Sequence, residues 1–168
     1  MVTIKKMAET SFHIKEPGLN ILPPGVERYV VNGGGITGIQ ILPDDEIEIV
    51  NNEGNQICEI SVFNKNGKSE TGILNLKENK DTSELKKILS SKDENSKIAA
   101  YQLKKRNLEI SKAKASIIFD KDTNWGEKVK LKSKDKCYCI FAAPGSEMLV
   151  SEQNPPTDLT IFVKRAKI

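Results

Sequence analysis

Apolar and polar residues alternate with a period of two along several short stretches of the chain, most clearly in Glu46-Ile47-Glu48-Ile49. Alternation of this kind is typical of a β-strand that buries one face. Together with apolar runs of strand length, it predicts eight strands, over residues 26–31, 36–42, 46–49, 56–63, 115–119, 128–132, 136–142 and 159–164.

Turn signals separate the first four predicted strands from one another. Asn32-Gly33-Gly34-Gly35 follows the first strand, Pro43-Asp44-Asp45 follows the second, and residues 51–55 (NNEGN) follow the third. Short strands divided by such turns favour antiparallel hairpins. We therefore expect consecutive strands to pair with each other in this half of the chain.

The periodicity changes between residues 81 and 114. Leu85, Ile88 and Leu89 fall on one face of a helix, and a second helix is predicted over 96–106, ending at Asn107, with one more helical turn in 108–114. The predicted fold is mainly β, an antiparallel barrel or sandwich with a helical insertion at about 81–114. Residues 1–10 are interpreted as a flexible leader and 11–168 as a single β-rich domain.

Composition and charge narrow the function classes. The net charge is +3 and both signs are interspersed, whereas a nucleic-acid-binding protein is usually more basic and clusters its charge. No apolar stretch approaches the ~18 residues of a membrane span, and no signal peptide is recognisable. Three cysteines are an odd number, which argues against a disulfide framework. We expect a cytoplasmic protein that binds neither nucleic acid nor membrane; oligomeric state is left open.

Several motifs match known sites only in part. Gly33-x-Gly35-x-x-Gly38 has the spacing of a dinucleotide-binding loop, but it leads into a predicted strand where that chemistry needs a helix, so a turn is favoured. In Asp120-x-Asp122-x-Asn124, Trp125 and Leu131 occupy the positions where a calcium loop needs glycine and glutamate.

The remaining candidates for metal binding or catalysis are also incomplete. Cys137 and Cys139 lie on one side of a predicted strand, and Cys58 and His13 are the only further Cys or His ligands, so we expect no zinc and a packing role for the thiols. His13, the only histidine, lies beside no nucleophile motif. We predict no catalytic residue in the chain.

Lysines are concentrated in Lys128-Val129-Lys130-Leu131-Lys132, with two more at 134 and 136. Two interpretations stay open for them: a solvated edge strand protected against aggregation, and a surface that meets an anionic ligand or partner.

Five strings carry a family resemblance: Pro24–Tyr29 (PGVERY), Gly35–Ile39 (GITGI), Asp45–Phe63, Ala142–Gly145 (AAPG) and Gln153–Leu159 (QNPPTDL). Together they resemble the N-terminal region of multidomain bacterial aminomethyltransferases, which join a urea-carboxylase-associated domain to a domain similar to the glycine-cleavage T-protein. The resemblance covers about residues 11–166. Gly54-x-Gln56-x-x-Glu59 also resembles a degenerate copy of the urea-carboxylase-associated pattern, with Glu59 in place of aspartate.

The resemblance implies a non-catalytic β domain of a folate-dependent aminomethyltransferase or demethylase system, with a structural role or a contact to substrate or subunits. An associated T-protein-like domain or subunit would bind tetrahydrofolate, and this chain would bind no cofactor itself. If the chain belongs to a longer enzyme, the implied activity is aminomethyl transfer. The alternatives are a free-standing small-molecule-binding protein and a hydrolase of small ureido or amidine compounds.

A ligand site, if present, is predicted at Arg28, Gln56 and Glu59. Gln56 and Glu59 are three residues apart, and residues three apart on a regular strand face opposite sides. A shared pocket therefore requires a bulge near Ile57–Cys58. Because a buried carboxylate needs a partner, Arg28 and Glu59 would have to converge on one cavity.

Overall fold

The computed structural model describes residues 22–78, 80–81, 83–145 and 155–167. Their helices are α1 (Ser83–Ser90) and α2 (Glu94–Lys105), with two short 3-10 turns at Thr71–Leu74 and Ile110–Lys112. The strands are β1 Val26–Val31, β2 Ile36–Ile41, β3 Glu46–Asn51, β4 Cys58–Asn64, β5 Lys80–Asp81, β6 Lys114–Phe119, β7 Glu127–Lys132, β8 Cys137–Ala142 and β9 Leu159–Lys164. The predicted leader 1–10 and His13 lie outside the described residues.

The strands form two antiparallel sheets. The first sheet has the order β1-β9-β3-β7 and the second the order β2-β8-β4-β6-β5. The two sheets do not close into a barrel but face each other as a sandwich, so the predicted mainly β fold is confirmed in its sandwich form.

The main core lies between the two sheets, where alternate residues of each strand meet. From the first sheet, Ile49 and Ile161 are fully buried, and from the second, Ile60 and Phe141. Because successive side chains point to opposite faces, the residues between them face outward.

The helical insertion covers the other face of the second sheet. Leu85 of α1 and Leu103 of α2 pack with Phe63 and Ile140 from that face. Asp93 caps α2 by accepting a hydrogen bond from the Ser96 backbone N–H at 2.8 Å. The predicted insertion at 81–114 is therefore confirmed. Among the described residues, no helix has the length and apolar character needed to cross a membrane.

The expected hairpins among the first four strands are wrong. β1 pairs with β9, β2 with β8, β3 with β7 and β9, and β4 with β6 and β8. The first four strands therefore alternate between the two sheets, and each turn between them carries the chain across the end of the sandwich. Hairpins and crossings of this kind need the same strand lengths and similar turns, so local sequence does not distinguish them.

The glycine-rich turn at 32–35 is one of these crossings and leads into a strand, as predicted. A Cβ atom on Gly33 would lie 2.3 Å from the Pro156 carbonyl oxygen, and Gly34 has a φ of +79°. Gly33 thus allows two backbone segments to approach closely, and Gly34 adopts the left-handed conformation of the turn. The expectation that the motif is a turn and does not open a helix is confirmed.

Candidate functional site

The structure does not bring Arg28 and Glu59 together. Arg28 is exposed on β1 of the first sheet, opposite Phe162, and its neighbour Tyr29 packs against the core. Glu59 lies on β4 of the second sheet and is 1% exposed. Because Cys58 and Ile60 on either side of it point into the core between the sheets, Glu59 faces the opposite way. The two residues lie on outer faces of different sheets, so they do not form one cavity.

The strand register is irregular one residue beyond Ile57–Cys58, where a shared pocket requires a bulge. The register between β4 and β6 shifts between Cys58 and Glu59, which pair with Phe119 and Ile117. The shift re-aims the start of β4, but it does not carry Glu59 to the face on which Arg28 lies. A role in ligand binding for any one of the three predicted residues stays a prediction.

Gln56 connects three backbone segments. Its Nε2 donates hydrogen bonds to the carbonyl oxygens of Pro144 and Ile57, each at 2.8 Å, and its Oε1 accepts one from the Thr157 N–H at 2.7 Å. The residue is 3% exposed. Its amide therefore ties the segment just before β4 to the segments after β8 and before β9, and every polar atom of the side chain has a protein partner.

Replacing Gln56 with leucine is expected to lower the free energy of unfolding by about 2–4 kcal/mol, since buried backbone groups lose their partners at roughly 1–3 kcal/mol each. Gln102→Leu, on the exposed surface of α2, is the control and should change stability by less than ~0.5 kcal/mol. Urea unfolding followed by circular dichroism measures both. Equal stability of the two variants would contradict the bridging role.

Arg165 organises a second polar network that the sequence did not reveal. Its Nε and Nη2 donate to the two carboxylate oxygens of Glu27 at 3.0 and 2.7 Å, and its Nη1 donates to Asp45 Oδ2 at 2.6 Å. Asp45 is 1% exposed and also accepts hydrogen bonds from the backbone N–H groups of Leu42 and Ala166. Arg165 is more than 100 residues away in sequence from Glu27 and Asp45, so no local sequence motif indicates the network.

The network lowers the pKa of both carboxyls. The Arg165 hydrogen bonds, helped by the Tyr29 hydroxyl, lower the pKa of Glu27. Burial opposes ionisation of Asp45, but the hydrogen bonds from Ala166, Leu42 and Arg165 together hold its pKa below the usual value. Both groups are therefore charged at neutral pH and hold β1, β9 and the turn after β2 together.

The lysine-rich strand β7 is an edge strand of the first sheet, as one of the two interpretations expected. Lys128 and Lys130 each lie 3.6 Å from a carboxylate oxygen of Glu48, and Lys132 lies 3.6 Å from Asp44. The positive charge seen in the sequence is thus partly balanced across the sheet.

A groove of about 730 Å³ runs over this outer face. Apolar residues such as Val26 and Phe162 line it together with charged ones such as Glu48 and Lys130. Its charged groups are of both signs, and residues of the first sheet supply most of its surface.

The three cysteines are buried and free. Cys137 and Cys139 lie 3.7 Å apart, sulfur to sulfur, and belong with Cys58 to the core between the sheets, so the predicted packing role is confirmed. Burial raises the pKa of Cys58, and the neighbouring Glu59 raises it further.

The Asp120 carboxylate closes a turn by accepting hydrogen bonds from Asp122 N and Thr123 Oγ1. In the part of the chain that the structure describes, no group of three or more His, Cys, Asp or Glu side chains is placed to hold a metal ion. Whether the protein binds zinc or calcium stays a prediction.

Comparison with known proteins adds one relative. No protein-family model matches the chain. The chain is 34% identical over 153 residues to the trimethylamine-oxide aldolase of Ruegeria pomeroyi, an alignment that covers 91% of this chain. The chain spans only 19% of that relative's length.

This relative corrects the function expected from the resemblance. A non-catalytic domain of a folate-dependent aminomethyltransferase is the wrong expectation, since the similar protein is a trimethylamine-oxide aldolase. The aminomethyltransferase and glycine-cleavage descriptions are wrong for the same reason. The likeness to urea-carboxylase-associated domains, the tetrahydrofolate-binding partner and the lack of a bound cofactor stay predictions.

Proposed function

We propose that this chain forms one domain of an enzyme with trimethylamine-oxide aldolase activity. The observation that supports the proposal is the 34% identity over 91% of the chain. An alignment of that extent takes in both sheets of the sandwich and the helical insertion, not a single motif. A shared domain of this size in two proteins is most simply explained by a shared enzyme.

The proposal places the reaction in the complete enzyme. The aligned region makes up 19% of the relative's length, so four fifths of that enzyme lie outside it. The sandwich brings to such an enzyme a rigid body, with its core between the sheets and the Arg165 and Gln56 networks closing its ends. We expect aldolase activity in the full-length protein that contains this domain.

The test is an assay of that full-length protein with trimethylamine oxide. An aldolase releases an aldehyde, so we expect trimethylamine oxide to disappear while aldehyde forms in equal amount. Trimethylamine, which has the same methyl groups but lacks the oxygen, is the matched control and should release none. A folded full-length protein that leaves trimethylamine oxide unchanged would overturn the proposal.

A further inference from the structure

A small pocket lies on the helix-covered side of the second sheet, away from the groove on the first. Its volume is about 160 Å³. It is formed where three segments, the turn after β4, the end of α2 and the start of β8, meet beside Gln40 of β2. Pockets for drug-sized ligands and cofactors occupy roughly 300–1,000 Å³, and this one suits a smaller molecule.

The charges around the pocket are all of one sign. Lys65, Arg106 and Lys136 line it, one from each of the three segments, and no carboxylate does. None of the three forms an ion pair with a carboxylate of the described residues. The lysines of β7, by contrast, have Glu48 and Asp44 as partners. Three unpaired cations around one concavity produce a positive potential that attracts anions.

Contacts within the protein fix the position of Arg106, which has more hydrogen-bond donors than either lysine. The Arg106 guanidinium stacks over the Tyr138 ring, 5.0 Å from its centroid, and Nη1 donates to the Gln102 carbonyl oxygen at 3.1 Å. Stacking and this one hydrogen bond orient the planar group and leave further N–H donors for a ligand. Arginine presented in this way suits the paired oxygens of a phosphate or carboxylate.

Polar groups of the sheet complete the lining. Tyr138 lies opposite Gln40 in the β2–β8 pair, and both line the pocket. A Cβ atom at Gly38 would lie 2.1 Å from the Tyr138 hydroxyl oxygen, so the phenol occupies space that only glycine leaves. Burial raises the pKa of Tyr138, and the hydroxyl therefore stays protonated and able to donate at neutral pH.

We propose that this pocket binds a small oxyanion, a phosphate or carboxylate group, through Arg106, Lys65 and Lys136. Trimethylamine oxide carries no net charge, so the ligand differs in chemical class from the proposed substrate. The three cations are exposed to solvent, and affinity should fall as salt screens them.

The probes are inorganic phosphate and acetate, each titrated into the protein at low ionic strength and compared with chloride at equal ionic strength. Calorimetry measures affinity, and backbone NMR locates the binding. We expect saturable binding of one equivalent, with shifts confined to the turn after β4, the end of α2, the start of β8 and the part of β2 around Gln40. Tighter binding of phosphate or of acetate identifies the group that the site prefers.

Arg106→Gln and Lys136→Gln should each weaken binding by about tenfold, the equivalent of one charged hydrogen bond. Lys104→Gln removes a charge from the same end of α2 but does not line the pocket, and it should bind as the parent protein does. The proposal is overturned if neither probe binds more than chloride does, if both pocket variants bind normally, or if Lys104→Gln weakens binding equally. Because these tests need no substrate, their failure is distinct from failure of the aldolase assay.

Discussion

Replacing Arg165 with leucine is expected to lower the free energy of unfolding by about 3 kcal/mol. Removing one partner of a buried ion pair costs roughly 3–5 kcal/mol, because the other charge is left buried without compensation. Asp45, at 1% exposure, is that remaining charge, and it keeps only the hydrogen bonds from the Leu42 and Ala166 backbone N–H groups. The Glu27 side chain is 41% exposed and can turn to water, which places the expected loss at the lower end of the range.

The control is Lys167→Leu, which removes a positive charge two residues away from an exposed position. It should change stability by less than ~0.5 kcal/mol. Urea unfolding at neutral pH compares the two variants. Equal losses would mean that net charge, and not the Asp45 contact, governs stability here.

Because of the same network, the difference in stability between the parent protein and Arg165→Leu depends on pH. The pKa values of Glu27 and Asp45 are lowered in the folded protein. At a pH between the ordinary and the lowered pKa, the unfolded chain therefore binds more protons than the folded protein does. Stability from these groups is therefore complete above about pH 5 and is lost as pH falls through the lowered pKa values. We expect the gap between the parent protein and Arg165→Leu to shrink steadily on acidification to about pH 3; a gap independent of pH would contradict this account.

Gly67→Ala is expected to cost about 3–4 kcal/mol, from two causes that add. Gly67 has a φ of +79°, a conformation that costs other residues about 1–2 kcal/mol. In addition, the new Cβ would lie 2.1 Å from the Asn107 carbonyl oxygen, so the backbone after α2 has to move. That movement also strains the hydrogen bond from Glu109 N–H to the Gly67 carbonyl oxygen, 2.8 Å in length.

Two other glycines separate these causes. Gly126 has a φ of +70°, and a Cβ atom added there would have nothing within 4 Å, so Gly126→Ala should cost only the conformational ~1–2 kcal/mol. Gly72 has the same free space without a positive φ, and Gly72→Ala should change stability by less than ~1 kcal/mol. Thermal and urea unfolding rank the three variants, and equal losses at positions 67 and 126 would rule out the steric contribution.

The candidate sites show where sequence reasoning stops being sufficient. Glu59 stands out in the sequence, and it is indeed buried, but its expected partner Arg28 belongs to the other sheet. The lysine run is conspicuous by its spacing, yet Glu48 and Asp44 balance only the part of it that lies in β7. Lys65, Arg106 and Lys136 share no motif, since each comes from a different segment.

Sequence patterns alone locate eight of the nine strands and both helices to within a few residues, and they miss only the two-residue strand β5 among the described residues. The predicted bounds of β1 and β9 agree with the structure at both ends, and the helical insertion lies where the periodicity changes. This agreement has a local cause, since alternation, helical periodicity and turn residues act over a few neighbouring positions. The pairing of the strands, by contrast, depends on long-range packing. A four-residue turn permits either a hairpin or a crossing, and burial of distant faces such as those of Ile49 and Ile161 selects between them. The contacts of Arg165 and Gln56 and the cluster of Arg106, Lys65 and Lys136 follow from that pairing, because they join segments that meet only once the sheets have assembled.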